Sequence, residues 1–155
     1  KITSFFNWMV KEFRLSLVST VYAIFLFSSR RMKQMIKFKP NDERDKKILQ
    51  LRNMTWDLYF MNRYFRLWLN KDEKAEFIFA SDDSNVREIL RAAILIQKSE
   101  SLNPLKQYLH PNEEKYLNNI ETLISSTDNR VYGSNKWTPE YREKLIKEKE
   151  NVLLN

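Results

Sequence analysis

Apolar residues recur at helical spacing through most of the chain. Residues 1–14 carry a stripe of aromatic and Met side chains, which predicts an amphipathic helix. Residues 15–29 form the longest uncharged run, which predicts a buried central helix. Residues 112–125 and 138–154 each begin with capping residues and continue at helical spacing, so each predicts a further helix. The chain is therefore expected to be predominantly helical.

The aromatic-rich stretch from Asn41 to Asn70 predicts either one helix of about 30 residues or two helices that meet near Asn53. On a helical wheel, several apolar residues fall within roughly 80° of Asp57. They are Met54, Met61, Tyr64, Phe65 and Trp68. Asp57 is therefore expected to point into an apolar face, where a carboxylate needs a cation, a donor or a proton as its partner.

Residues 77–97 predict a strand, a turn and a helix in succession. Phe77–Ala80 is an apolar run too short for a helix and rich in residues that strands tolerate, whereas Val86 to Ile96 recurs at helical spacing. The polar turn 81–85 would then lie at the C-terminal end of a strand, which is where open α/β sheets bind ligands. The same polar residues are also typical of the start of a helix.

The composition narrows the chemistry that a site could use. The chain has no Cys and one His, so any bound metal ion would have oxygen ligands, as Mg²⁺ and Mn²⁺ prefer. With one Gly, it also lacks the glycine-rich loops that hold nucleotide phosphates. Zinc and nucleotide cofactors are therefore disfavoured.

The charge favours anionic partners. The net charge is +7, from 27 basic and 20 acidic residues, so nucleic acid is attracted by the field of the whole molecule. Arg30, Arg31, Lys33 and Lys37 alternate with apolar residues and are predicted to contact phosphates. The alternative for this basic segment is a solvated helix end, because cations are stabilised there by the helix dipole.

The length of the chain and the length of its uncharged run indicate how many domains to expect and whether the chain crosses a membrane. We expect a single domain over residues 1–155, with a fragment of a longer chain as the alternative because the sequence begins with Lys. The uncharged run of 15 residues includes five Ser or Thr and is shorter than the ~20 apolar residues of a membrane span. No cleavage signal follows it. We expect no membrane partner and a cytoplasmic location, with the terminal helices available for homo- or hetero-oligomer contacts.

Residues 53–97 carry a pattern of acids found in one enzyme family. Asp57 lies near the start of a predicted helix, and 26 residues later Asp83 closes a strand in a Ser-x-Asp turn that leads into a Leu- and Ile-rich helix. This arrangement resembles the C-terminal half of the PIN-like, or FEN-like, metal-dependent nucleases. The resemblance implies an α/β fold that is predominantly helical, with a small central sheet flanked by helices in three layers and without a recognisable first strand.

The same resemblance implies the site and the activity. Asp57 and Asp83 would hold Mg²⁺ or Mn²⁺, Ser81 would take the hydroxyl position, and Glu12 is a further candidate ligand because it is the only acid before Asp42. The metal would activate water to hydrolyse a phosphodiester bond, in RNA by family resemblance. The alternative hypothesis is a basic helical module without catalysis that binds nucleic acid or another protein. In it, Asp57 pairs with an arginine such as Arg52 or Arg91, and residues 81–84 cap a helix.

Overall fold

The computed structural model describes residues 2–13, 16–28, 37–72, 74–125, 131 and 133–154. Within them the chain forms six α-helices, and two short 3-10 helices connect the fourth to the fifth. The α-helices are α1 (Ile2–Glu12), α2 (Leu17–Phe27), α3 (Arg44–Leu69), α4 (Ser84–Ser99), α5 (Glu114–Ser125) and α6 (Pro139–Leu154), and the 3-10 helices are Asn103–Tyr108 and Pro111–Glu113.

The core is built around α2, as its uncharged sequence predicts. Ser16 begins this helix by accepting a hydrogen bond from the backbone N–H of Ser19 at 3.1 Å, and Val18, Val21 and Ile24 are fully buried. The helix packs against α1, α3 and α4. Within the described residues, no helix combines the length and the apolar character that crossing a bilayer would require.

Small side chains let α2 and α4 come close together. Ala23 of α2 and both Ala92 and Ala93 of α4 are buried. With only a methyl group at these positions the two backbones can approach closely, and the larger side chains around them fill the remaining space. Ile89 and Ile96 complete the buried face of α4, one turn before and one turn after the alanines.

α3 is one unbroken helix, so the alternative of two helices meeting near Asn53 is wrong. Its buried face presents Met61 and Phe65 to the core. The turn before it is held by Asp42, whose carboxylate accepts hydrogen bonds from the backbone N–H of Lys39 and from the ammonium of Lys46. These bonds lower the pKa of Asp42, that from the backbone of Lys39 being the largest cause.

The first helix, α1, and the last helix, α6, contact each other. The hydroxyl of Tyr141, in α6, donates a hydrogen bond to the carboxylate of Glu12, in α1. The rings of Phe13 and Trp137 lie edge to face beside this contact, with centroids 5.3 Å apart. Contacts of these helices with other chains, which the sequence suggests, stay a prediction.

The predicted α/β fold with a central sheet is wrong, because the described residues contain helices and no β-strand. Phe77–Ala80, the predicted strand, runs beside α3 without a neighbouring strand. The hydroxyl of Tyr64 donates a hydrogen bond to the carbonyl of Phe77 at 3.0 Å, and the rings of Tyr64 and Phe79 lie 5.0 Å apart. A strand is stabilised by its ladder to another strand, and here the neighbour is a helix, so side-chain packing holds the segment instead.

Candidate functional site

Asp57 has the cationic partner that its sequence context requires. Its carboxylate forms an ion pair with the ammonium of Lys37, and not with Arg52 or Arg91 as the alternative hypothesis proposes. The Asp57 side chain keeps 42% of its exposure and that of Lys37 keeps 34%, so the predicted position deep in the apolar face is wrong. Asp57 lies at the edge of the buried face of α3.

Asp83 begins α4. One carboxylate oxygen accepts hydrogen bonds from the backbone N–H groups of Asn85, at 2.8 Å, and Val86, at 3.4 Å. The hydroxyl of Ser81 accepts the backbone N–H of Asp83 at 3.2 Å and so fixes the turn before the helix. Both side chains satisfy donors that would otherwise lack a partner at a helix start.

Asp57 and Asp83 line one narrow cavity of about 20 Å³, together with Lys37 and Tyr22. That volume is room for roughly one water molecule. Burial raises the pKa of the Tyr22 hydroxyl to about 12, and the negative charge of Asp57 adds to this effect. The two aspartates therefore line the same small cavity.

The groups around this cavity do not fit a bound Mg²⁺ or Mn²⁺. The ammonium of Lys37 already occupies the cation position beside Asp57, and Asp83 is bonded to the backbone. Glu12 is bonded to Tyr141 in α6. Across the described ranges, three acids or histidines do not come together in a way that could hold a metal ion. The metal and nuclease roles of Asp57, Asp83, Ser81 and Glu12 stay predictions.

The basic segment predicted to contact phosphates can be followed only at its end. Arg30, Arg31 and Lys33 lie outside the described residues. Lys37 is described and is engaged by Asp57, so its charge is already neutralised by a partner. A phosphate-binding role for Lys37 would require that ion pair to open.

A second surface lies on the solvent face of α3, opposite the core. On a helical wheel its residues fall within about 60° of Trp56 and extend along about 27 Å of the helix. We call this surface the aromatic–arginine stripe, and its residues are Leu49, Arg52, Trp56, Tyr59, Phe60, Arg63 and Leu67. All seven side chains are exposed, so α3 carries apolar residues on two opposite faces.

The three rings at the centre of the stripe pack against one another in solvent. Trp56, Tyr59 and Phe60 are 57%, 54% and 56% exposed. Trp56 and Phe60 are stacked with centroids 5.8 Å apart, and Tyr59 meets the edge of Trp56 at 5.5 Å. The mutual contacts hold the rings in place and leave their outer faces accessible.

Free positive charge flanks these rings. Arg52 lies one turn before Trp56, and Arg63 lies about one turn after Phe60. Among the described residues, neither guanidinium has an ion pair, hydrogen bond or ring contact. The stripe contains no acidic side chain between Leu49 and Leu67, since Asp57 lies about 100° away around the helix.

A groove of about 420 Å³ continues the stripe toward residues 77–81. Phe60, Arg63 and Leu67 belong to both the stripe and the groove, and the opposite wall includes Phe77 and Phe79. This volume lies in the range of roughly 300–1,000 Å³ that is typical of small-ligand pockets. The stripe and the groove thus form one continuous surface that is aromatic and basic.

Comparison with protein-family models, with curated proteins and with solved structures finds no match to this chain. Most of the stripe lies outside the sector of α3 around Asp57, so a wheel centred on Asp57 does not show it. A wheel centred on Trp56 shows this second apolar face, with two arginines and with Asp45 one turn before Leu49.

Proposed function

We propose that the chain is a helical module without catalysis that binds single-stranded nucleic acid through the aromatic–arginine stripe. The observation that supports this most strongly is the cluster of three solvent-exposed rings on α3, flanked on the same face by two arginines that have no partner among the described residues. The net charge of +7 also favours binding of an anionic strand. RNA is the first ligand to test, as the sequence resemblance suggests.

Each part of the stripe has a counterpart in a nucleic-acid strand. The outer faces of Trp56 and Phe60 can stack with bases, and such stacking contributes about 1–3 kcal/mol per base. Arg52 and Arg63 can contact phosphates on either side of the stacked bases. A single strand exposes its base faces to such contacts, whereas a duplex keeps them stacked inside.

The spacing along the helix also suits a strand. The stripe extends for about 27 Å, with one arginine on each side of its three rings and with Leu49 and Leu67 at its ends. Because bases and phosphates alternate along a strand, several neighbouring nucleotides could contact the rings and the arginines at once. Site sizes of roughly 4–16 nucleotides are common for modules that combine stacking with a basic track.

The test is a titration of fluorescein-labelled single-stranded RNA and DNA of mixed sequence, followed by fluorescence anisotropy. Replacing the two stacked rings in Trp56→Ala/Phe60→Ala should weaken binding at least about tenfold, because two stacking partners are lost. Both side chains are exposed, so the fold should be retained, which circular dichroism would check. Ile146→Ala, which truncates an apolar residue 56% exposed on α6, is the matched control.

Self-association is measured in parallel by analytical ultracentrifugation. If wild type fails to bind either oligonucleotide and instead forms an oligomer that Trp56→Ala/Phe60→Ala dissociates, the stripe is a protein interface and the proposal is wrong. Equal loss of binding in the double variant and in Ile146→Ala would also overturn it.

A further inference from the structure

We propose that the groove beside the stripe accepts one unstacked nucleobase of the bound strand, so that the module discriminates single strands from duplexes. This inference rests on the proposed function. The stripe could bind a strand without the groove, and the inference adds that one base of the strand enters the groove. The occupant is a nucleobase, and the neighbouring nucleotides stay on the stripe.

Aromatic side chains form both walls of the groove. Phe60 and Tyr64 line it from α3, and Phe77 and Phe79 line it from the opposite side. The rings of Tyr64 and Phe79 lie 5.0 Å apart at 55°, so the aromatic residues of the two sides contact each other. A flat base entering between such walls would bury both of its faces against rings, which is how enzymes and binding modules hold bases taken out of a stack.

Residues 78–80 line the groove and carry backbone groups that can pair with the edge of a base. The segment from Ile78 to Ala80 is held by side-chain packing, and within the described residues its backbone N–H groups make no hydrogen bond. A base carries donors and acceptors on its edges, so it can pair with backbone groups that an apolar side chain would leave unsatisfied. The unpaired backbone therefore favours a base over an aliphatic ligand.

Charge indicates where the sugar and phosphate of that nucleotide would lie. Arg63 lines the groove and is also part of the stripe, and its guanidinium has no partner among the described residues. A strand running along the stripe would bring a phosphate to Arg63 as one base turns into the groove. Asp57 lines the groove as well, but its charge is compensated by the ion pair with Lys37.

The experiment compares affinities of the full chain for a short single strand and for the duplex of the same sequence. Wild type should prefer the single strand by about tenfold or more, because a paired and stacked base cannot enter the groove. Phe77→Ala should lower single-strand affinity by roughly five- to tenfold and leave duplex affinity unchanged. Phe77 is 39% exposed and its backbone carbonyl is retained in the variant, so the fold should persist.

Two further variants separate stacking from simple apolar contact. Phe77→Leu keeps an apolar side chain without a ring face and should lose most of the single-strand preference, whereas Ile146→Ala should keep all of it. A strand containing 5-bromouracil, irradiated in the complex, should crosslink to residues 77–79 in addition to the stripe, as mass spectrometry of the peptides would show.

The outcomes distinguish the two proposals. If wild type binds no oligonucleotide, the proposed function fails and the groove inference fails with it. If wild type prefers single strands but crosslinks only to the stripe, the groove inference is wrong and the proposed function stands. If wild type binds duplex as well as single strands, stacking at the stripe is contradicted and both proposals fail. Equal effects of Phe77→Ala and Ile146→Ala would likewise overturn the groove inference.

Discussion

The carboxylate of Asp83 is bonded to backbone N–H groups at the start of α4, with the hydroxyl of Ser81 supporting the same turn. A capping carboxylate of this kind accepts hydrogen bonds from backbone N–H groups that have no partner within the helix. Its negative charge is also stabilised by the positive end of the helix dipole. The acid–hydroxyl pattern in the sequence fits this structural role as well as it fits a metal ligand.

Substitutions at Asp83 separate the two roles. Asp83→Ala should lower the free energy of unfolding by about 0.5–2 kcal/mol, whereas Asp83→Asn should be nearly neutral, because Asn caps helices about as well as Asp. Thermal unfolding with and without Mn²⁺ would measure both effects. A rise in Tm with Mn²⁺ in wild type that is lost in both variants would contradict a purely capping role and favour the metal site.

The ion pair of Asp57 shows how far the surroundings of a single side chain could be predicted from the sequence. Its position near the apolar face of α3 indicated that a compensating group was needed, and an ion pair is present. The sequence could not identify Lys37 as that group. The choice depends on how residues 37–43 fold back along α3, and the turn held by Asp42 determines that path.

The contact between α2 and α4 sets the spacing of the core at the scale of helices. Buried alanines lie on both helices, and Ala93 of α4 is fully buried. Ala93→Leu would force extra methylene groups into a filled interface and should lower the free energy of unfolding by about 1–3 kcal/mol. Urea unfolding would measure this change.

Ala80→Leu is the matched control, since Ala80 is exposed on the groove and the same change there should stay within about ±0.5 kcal/mol. If both variants were equally stable, the close approach of α2 and α4 would not depend on small side chains.

Helices could be predicted because their patterns are local. The uncharged run of α2, the periodic residues of α4 and the Thr138–Pro139 start of α6 each specify a helix without reference to the rest of the chain. A strand is different, because Phe77–Ala80 needs a second strand beside it, and local composition cannot show that none is present in the described residues. The sheet was therefore predicted from a short run that packs on a helix.

The whole chain has a net charge of +7, and binding to nucleic acid should therefore depend on salt. Log affinity for a single strand should fall linearly with log salt, with a slope of about −0.7 per phosphate contacted. Replacing Arg52 and Arg63 by Gln should reduce the steepness of this slope by about 1.4, because two phosphate contacts are lost. Anisotropy titrations at several salt concentrations would give both slopes.

Arg142→Gln/Lys144→Gln, on the exposed side of α6, removes the same charge at a distance from the stripe and should leave the slope nearly unchanged. A fall in slope of the same size in this control would show that the strand is bound by diffuse charge, without contacts at the stripe.

The segment from Phe77 to Ala80 should favour aggregation in concentrated solutions. It is apolar, lacks proline, has Ile78 90% exposed and leaves its backbone N–H groups without partners in the described chain. Two molecules could pair these segments edge to edge, and stacking of further copies would nucleate fibrils. Charged neighbours, Glu76 before it and Asp82 after it, oppose such stacking by repulsion between identical copies. Removing both charges, in Glu76→Gln/Asp82→Asn, should therefore shorten the shelf life of concentrated solutions.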